Sequence, residues 1–268
     1  MKYLNLLVIV LILVVPVAAQ KPGTHSSDRV VDLTHAFDAE SIYWPTAEQF
    51  KLETDFEGTT DKGYFYSAYR YSAAEHGGTH LDSPVHFAKG RYTVDQLPLQ
   101  QLIGSAIVVD VTAQCATNPD YLVSVADFEN WEKQNGRIAS GTIVLLRTGF
   151  GKFYPDAKKY LGTDERGAEA VAKLHFPGLD PAAASWITQN RSIKAIGLDT
   201  ASIDYGQSTL FESHRTLFEK NVPAFENVAN LEQLPAKGFS VIALPMKIKG
   251  GSGGPLRIIA ILSPRPIL

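Results

Sequence analysis

The sequence predicts one mixed α/β domain, and three observations carry that prediction. Short apolar runs with strand character alternate with helical stretches through the centre of the chain. Strand character dominates near both ends. No repeat, low-complexity tract or long linker divides the 268 residues, and about 200–250 residues is an ordinary size for one such domain.

The first nineteen residues stand apart. Lys2 gives a positive start, Leu6 to Val15 is an unbroken apolar run, Pro16 breaks it, and Val17-Ala18-Ala19 places small residues before Gln20. This layout predicts a secretory signal peptide over residues 1–19, with a mature domain over 20–268. The run falls short of the roughly 20 residues that span a bilayer, so an uncleaved anchor is the weaker reading. The expected location is periplasmic or secreted.

The first strand of the mature chain is Val30-Val31-Asp32-Leu33-Thr34. Tyr64 to Ala74, rich in aromatics with partial alternation, reads as a strand leading into a histidine-rich segment. Ala106–Val111 and Thr142–Arg147 read as buried strands. Between them Ser124 caps a helix that Gly136 stops, with Asp127 three residues after the cap. Asp180-Pro181 opens a second helix through Asn190. Ala195–Leu198, Ser240–Leu244 and Arg257–Leu262 complete the strands. Lys249 to Pro255 carries four glycines and reads either as a surface loop or as backbone that approaches a ligand closely.

Composition excludes some functions. A net charge of -3 and the lack of a basic stripe argue against nucleic acid as a partner. A single cysteine, Cys115, excludes an intrachain disulfide and reads as an incidental thiol where a strand end runs into a loop.

The segment from Glu75 to Phe87 carries the chemistry. It packs three of the seven histidines, His76, His80 and His86, into eleven positions, with Asp82 among them. Imidazole and carboxylate suit zinc, manganese and related divalent ions. In an extended chain His80, Asp82 and His86 share one side, while Leu81, Val85 and Phe87 face the core. Gly77-Gly78 lets the chain bend so that His76 swings beside His80. Pro84 argues for an edge strand or loop. Satisfied polar groups near a loop would explain a lone histidine, but they explain four such residues on a glycine hinge poorly. Farther along, His214 and Glu226 are candidates to complete the site or to bind a second ion. On spacing alone they are equally well a core histidine and an exposed carboxylate. Asp199 and Asp204, at or beyond a strand end, are also candidates. Tyr43, Trp44, Phe65 and Tyr66 read either as a pocket for a flat substrate or as ordinary core.

The run His76-Gly77-Gly78-Thr79-His80-Leu81-Asp82-Ser83-Pro84-Val85-His86-Phe87 resembles the signature of the cyclase-like metal-dependent hydrolases, a family that includes bacterial kynurenine formamidase (an arylformamidase) and isatin hydrolase. The likeness extends to Val31–Thr34, Gly197–Thr200, Phe225–Asn230 and the glycine-rich Leu244–Arg257 stretch. The resemblance implies a swivelling β/β/α domain, usually assembled as a homodimer or larger. It implies that His76, His80 and Asp82 hold a first metal, Zn or Mn, and that His86 is the catalytic histidine. It implies that His214 and Glu226 bind a second ion with Asp82 as the bridge. The expected reaction is hydrolysis of an amide or lactam C–N bond in a small aromatic molecule, with His86 as general base and then acid. A lactone or ester hydrolase, a cyclase acting through the same site, and a non-catalytic exported metal-binding protein are the alternatives.

Overall fold

In a computed structural model of the chain, the structure describes residues 29–262. The predicted signal peptide lies outside them. In chain order the strands are β1 (Arg29–Asp32), β2 (Lys51–Thr59), β3 (Phe65–Ser72), β4 (His80–Asp82), β5 (Ile103–Asp110), β6 (Leu122–Val123), β7 (Ile143–Arg147), β8 (Gly178–Leu179), β9 (Ala195–Leu198), β10 (Ala224–Glu226), β11 (Lys237–Pro245) and β12 (Gly253–Leu262).

Seven strands close into a ring in the order β12-β11-β5-β7-β9-β10-β4, and β4 pairs back onto β12. β1 adds outside the ring, against β12. β5, β7, β9 and β10 run parallel, and the other ring pairings are antiparallel. This is the mixed α/β domain expected from the sequence, closed into a barrel.

The apolar runs read as buried strands are buried on both faces, as parallel strands between two layers must be. Val144 and Leu146 of β7 belong to a core shared with Phe128, Trp131 and Ile187 of the helices. Ile143 and Leu145, one residue out of phase, join Ala106, Val108, Phe225, Val241 and Ile258 in a second core drawn from the ring strands. Small barrels are filled by side chains in this way.

The two predicted helices occur at Val125–Asn135 and Pro181–Arg191. Ser124 and Asp127 form a reciprocal capping box, and Asp180 accepts a hydrogen bond from the amide of Ala182. Two local expectations are corrected. Cys115 sits in a short helix, Thr112–Thr117, rather than a loop, because the Thr112 amide is capped by Asp110. β4 is no edge strand: it is paired on both sides, and Pro84 falls just beyond it as the first residue of a 3₁₀ turn, where its missing N–H costs nothing.

β2 and β3 form a hairpin outside the ring, and β2 has no counterpart in the sequence reading. Phe65 and Tyr66 lie on it, 66% and 50% exposed, and not at the site. Among the described residues no helix is long and apolar enough to cross a membrane.

Candidate metal centre

Strand register brings the site together. In β4, His80 and Asp82 point to one side and Leu81 to the other, where it is fully buried. Antiparallel pairing sets Glu226 of β10 directly opposite His80, although 146 residues separate them in sequence. On the other side β12 sets Gly253 opposite Asp82. A Cβ at position 253 would lie 2.5 Å from the Leu81 carbonyl oxygen and 2.6 Å from His76 Cε1, so glycine is required for this approach. The Gly77-Gly78 bend forms as expected, with Gly78 at φ +56° and the His76 and His80 rings 5.5 Å apart. Asn227 fixes the bend by donating from Nδ2 to the Gly78 carbonyl.

His214 arrives from the helix Glu212–Phe218. Asp204 holds it, accepting from the His214 ring at Nδ1 (2.6 Å) and from the amides of Ser213 and His214. Asp204 is therefore a positioning residue. Asp199 does different work: it accepts from Thr148, Gly149 and Gly151 and pins the loop after β7.

Two groups of possible ligands result. His76, His80 and Asp82 form one, and Asp82, His214 and Glu226 the other, with Asp82 common to both. Asp82 Oδ1 lies 2.6 Å from His76 Nδ1 and 3.0 Å from His80 Nε2, while Oδ2 lies 3.1 Å from His214 Nε2. Glu226 Oε1 lies 3.1 Å from the same nitrogen of His214.

The electrostatics follow from burying two carboxylates together. Burial works to lower the pKa of His80, but the carboxylates of Asp82 and Glu226 outweigh it and raise the value to about 9. Burial likewise opposes the upward shift of His214, which its bonds to Asp204, Asp82 and Glu226 impose. For Asp82, burial is outweighed by His76, His80 and His214, and its carboxyl is held well below the usual range. Burial and the neighbouring Asp82 charge push Glu226 up. The cluster thus calls for positive charge between its carboxylates.

The donor set fits a divalent cation. It is imidazole and carboxylate only, the chemistry of zinc and manganese sites. Buried His80 Nε2 faces both carboxylates yet has no hydrogen-bond partner. Buried polar atoms are rarely left so, and an ion shared with Asp82 accounts for it.

His86 stands apart from these ligand groups. Its ring stacks on His76 at 3.8 Å and opens to a cavity of about 300 Å³. The protein around the ring pushes its pKa below the ordinary histidine value. The cavity floor is the His/Asp/Glu cluster, and Ile42, Tyr43, Trp44, Phe87, Ala201 and Phe211 contribute apolar walls. Of the aromatics considered from the sequence, Tyr43 and Trp44 line it. Phe87, expected to face the core, and Phe211, not considered from the sequence, join them. Their signal was proximity in sequence to His86 and His214.

Known proteins resemble this chain in sequence and in fold. The family model Cyclase, described as "Putative cyclase", matches residues 31–205. An isatin hydrolase of Roseibium aggregatum is 30% identical over 245 residues, covering 84% of this chain and 90% of that one. A kynurenine formamidase of Salinibacter ruber is 25% identical over 239 residues, covering 88% and 99%. Among solved structures, isatin hydrolase A from Labrenzia aggregata bound to benzyl benzoate superposes with a TM-score of 0.79 at 31% identity, covering 88% of this chain and 94% of that one.

Proposed function

Because this chain belongs to the cyclase family, we propose that it is a metal-dependent hydrolase of an amide or lactam C–N bond in a small aromatic substrate. One observation carries the reading: two ligand groups sharing Asp82 form the floor of an apolar pocket into which a free histidine opens.

His76, His80 and Asp82 would hold a first ion, Zn or Mn, and His214 and Glu226, with Asp82, a second. The metal supplies Lewis acidity and lowers the pKa of water at the site. The rest is work for side chains. Asp204 keeps His214 aimed at Asp82 and Glu226. His86 opens into the pocket beside His76, placed for a ring nitrogen to accept a proton from the attacking water and return it to the leaving nitrogen. The aromatic walls exclude bulk water and take a flat ring against them.

The lining also ranks substrates. Among the described residues it includes no lysine or arginine. A substrate with an amino-acid tail would bring a carboxylate that meets no basic group, so a neutral cyclic amide such as isatin fits better than N-formylkynurenine. Hydrolysis of both should be followed before and after chelation and after Zn²⁺ or Mn²⁺ is restored. The reading expects chelator-sensitive turnover with isatin preferred. Turnover indifferent to chelation would contradict it.

We also propose export and self-association. The layout of residues 1–19 supports a cleaved signal peptide, which N-terminal sequencing of the mature protein checks. The exposed aromatics of the β2–β3 hairpin support docking of a second copy, since an isolated two-stranded hairpin is marginal in water. Light scattering would return a dimer or larger, and a monomer at micromolar concentration would contradict it.

A further inference from the structure

The glycine-rich stretch before β12 carries a serine that reaches the metal cluster. Ser252 Oγ lies 2.8 Å from His76 Nε2 and 2.6 Å from Glu75 Oε2. The Ser252 amide also donates to Glu75 Oε2, at 2.9 Å. The position is built from several sides. The Ser252 carbonyl accepts from the Ser83 amide, just past β4, and Gly253 is the residue that packs against the His76 ring.

Donor and acceptor counting fixes the proton. An ionised carboxylate can only accept, so the single hydroxyl hydrogen of Ser252 goes to Glu75. Ser252 Oγ must then accept from His76, and the proton that it accepts is the one on Nε2. The other ring nitrogen, Nδ1, is left facing Asp82 Oδ1 at 2.6 Å. At that distance either a second proton on Nδ1 or a bound cation lies between the two atoms, and a bound cation leaves Nδ1 as the ligating nitrogen.

The other two histidines of the cluster are held from short range. His80 Nδ1 donates to the Gly78 carbonyl, two residues away, and His214 Nδ1 donates to Asp204, ten residues away. His76 depends on a residue 176 positions distant in the chain.

We propose that Glu75 and Ser252 are positioning residues for the metal: they fix the proton of His76 on Nε2 and so present Nδ1 as its ligating nitrogen. The inference rests on the metal-hydrolase reading of the site. It also gives the glycine-rich stretch a role, since its backbone delivers the hydroxyl to the cluster. Outer partners of metal-bound histidines typically change metal affinity by roughly 10–100-fold when removed.

The test compares wild type, Ser252→Ala, Ser252→Thr and Glu75→Gln. Binding of Mn²⁺ alone is titrated calorimetrically into metal-free full-length mature protein. Thermal melting of the metal-free proteins is recorded beside it. Long-range ¹H–¹⁵N spectra of the Zn²⁺-loaded, ¹⁵N-histidine-labelled proteins report which nitrogen of His76 carries the proton. The expected result is an Nε2–H His76 in wild type, loss of roughly 10–100-fold in Mn²⁺ affinity for Ser252→Ala, a smaller loss for Glu75→Gln, and rescue by Ser252→Thr. Melting of the metal-free Ser252→Ala protein should stay near that of wild type. A Ser252→Ala protein with wild-type affinity, or a wild-type His76 protonated on Nδ1, would overturn the relay. Should Ser252→Ala not fold, Glu75→Gln carries the comparison, and unchanged affinity there overturns it equally. Failure of wild type to bind Mn²⁺ or Zn²⁺ would instead overturn the metal reading itself.

Discussion

Two neighbouring stretches divide residues between water and interior in opposite ways. The β2–β3 hairpin, residues 51–72, leaves Leu52, Phe65, Tyr66, Tyr69 and Tyr71 between 46% and 66% exposed. Four residues beyond its end, the segment 76–87 begins, and it buries His80 and Asp82 to 2% exposure. Hydrophobic residues face water in the first, and ionisable ones are buried in the second. The difference lies in pairing. β4 has a neighbour on each side and a core beneath it, so every side chain is fixed by register. The hairpin pairs only with itself, and its salt bridges, Arg70 with Glu53 and Asp55, are solvent-exposed and worth little. Exposed apolar groups in the first region call for a partner, and buried polar groups in the second call for a ligand.

The largest expected effect lies at the residue both ligand groups share. Asp82→Asn should abolish metal retention and turnover together, read by elemental analysis beside the hydrolysis assay. Next is His86→Ala, at a ring that stacks on His76 but belongs to neither ligand group. It should retain metal while turnover falls by roughly 10²–10⁴-fold, the usual contribution of general acid–base catalysis. Full activity in that variant would remove His86 from the mechanism.

The same small change should then separate the two regions by stability. At Gly253 a Cβ meets the Leu81 carbonyl and the His76 ring, and at Gly58 of the hairpin only the Phe56 ring, 4.0 Å away. Gly253→Ala should destabilise by about 2–3 kcal/mol, as overpacking does, and Gly58→Ala should be near neutral. Chemical denaturation checks both, and equal losses would break the comparison.

A smaller effect concerns pH. Burial lowers His35 to about 4, partly offset by Asp32. Its folded value lies below the unfolded value near 6.5, so the unfolded chain binds the extra proton first. Stability is therefore full above about pH 6.5 and falls as pH drops toward about 4, by on the order of 2 kcal/mol. His35→Phe should flatten that stretch of the stability profile. Smallest of all, Phe65→Ser should leave metal content unchanged and monomer stability within about 0.5 kcal/mol, the usual range for surface substitutions. Its effect should appear in the assembly state, read by light scattering.

How much was legible in the sequence follows the same division. The clustering of His76, His80 and Asp82 is readable because one short segment carries them and a glycine pair bends it. Glu226 was not readable from spacing, because its place opposite His80 is a matter of strand register. Asp204 was one of two open carboxylates, and only its bonds to the helix carrying His214 distinguish it from Asp199. Ser252 gave no signal beyond its glycine neighbours. The ring closure, β4 onto β12, joins residues more than 170 apart, which no local period encodes. β2 escaped because its charged residues alternate with exposed apolar ones, and no buried face marks it as a strand.

The most direct test of the centre is anomalous diffraction at the zinc and manganese edges on crystals of the active, metal-loaded protein. The account predicts a peak between His76 Nδ1, His80 Nε2 and the Asp82 carboxylate, with any second peak between Asp82, His214 and Glu226. A fully active protein with its only metal elsewhere, or with none, would contradict it.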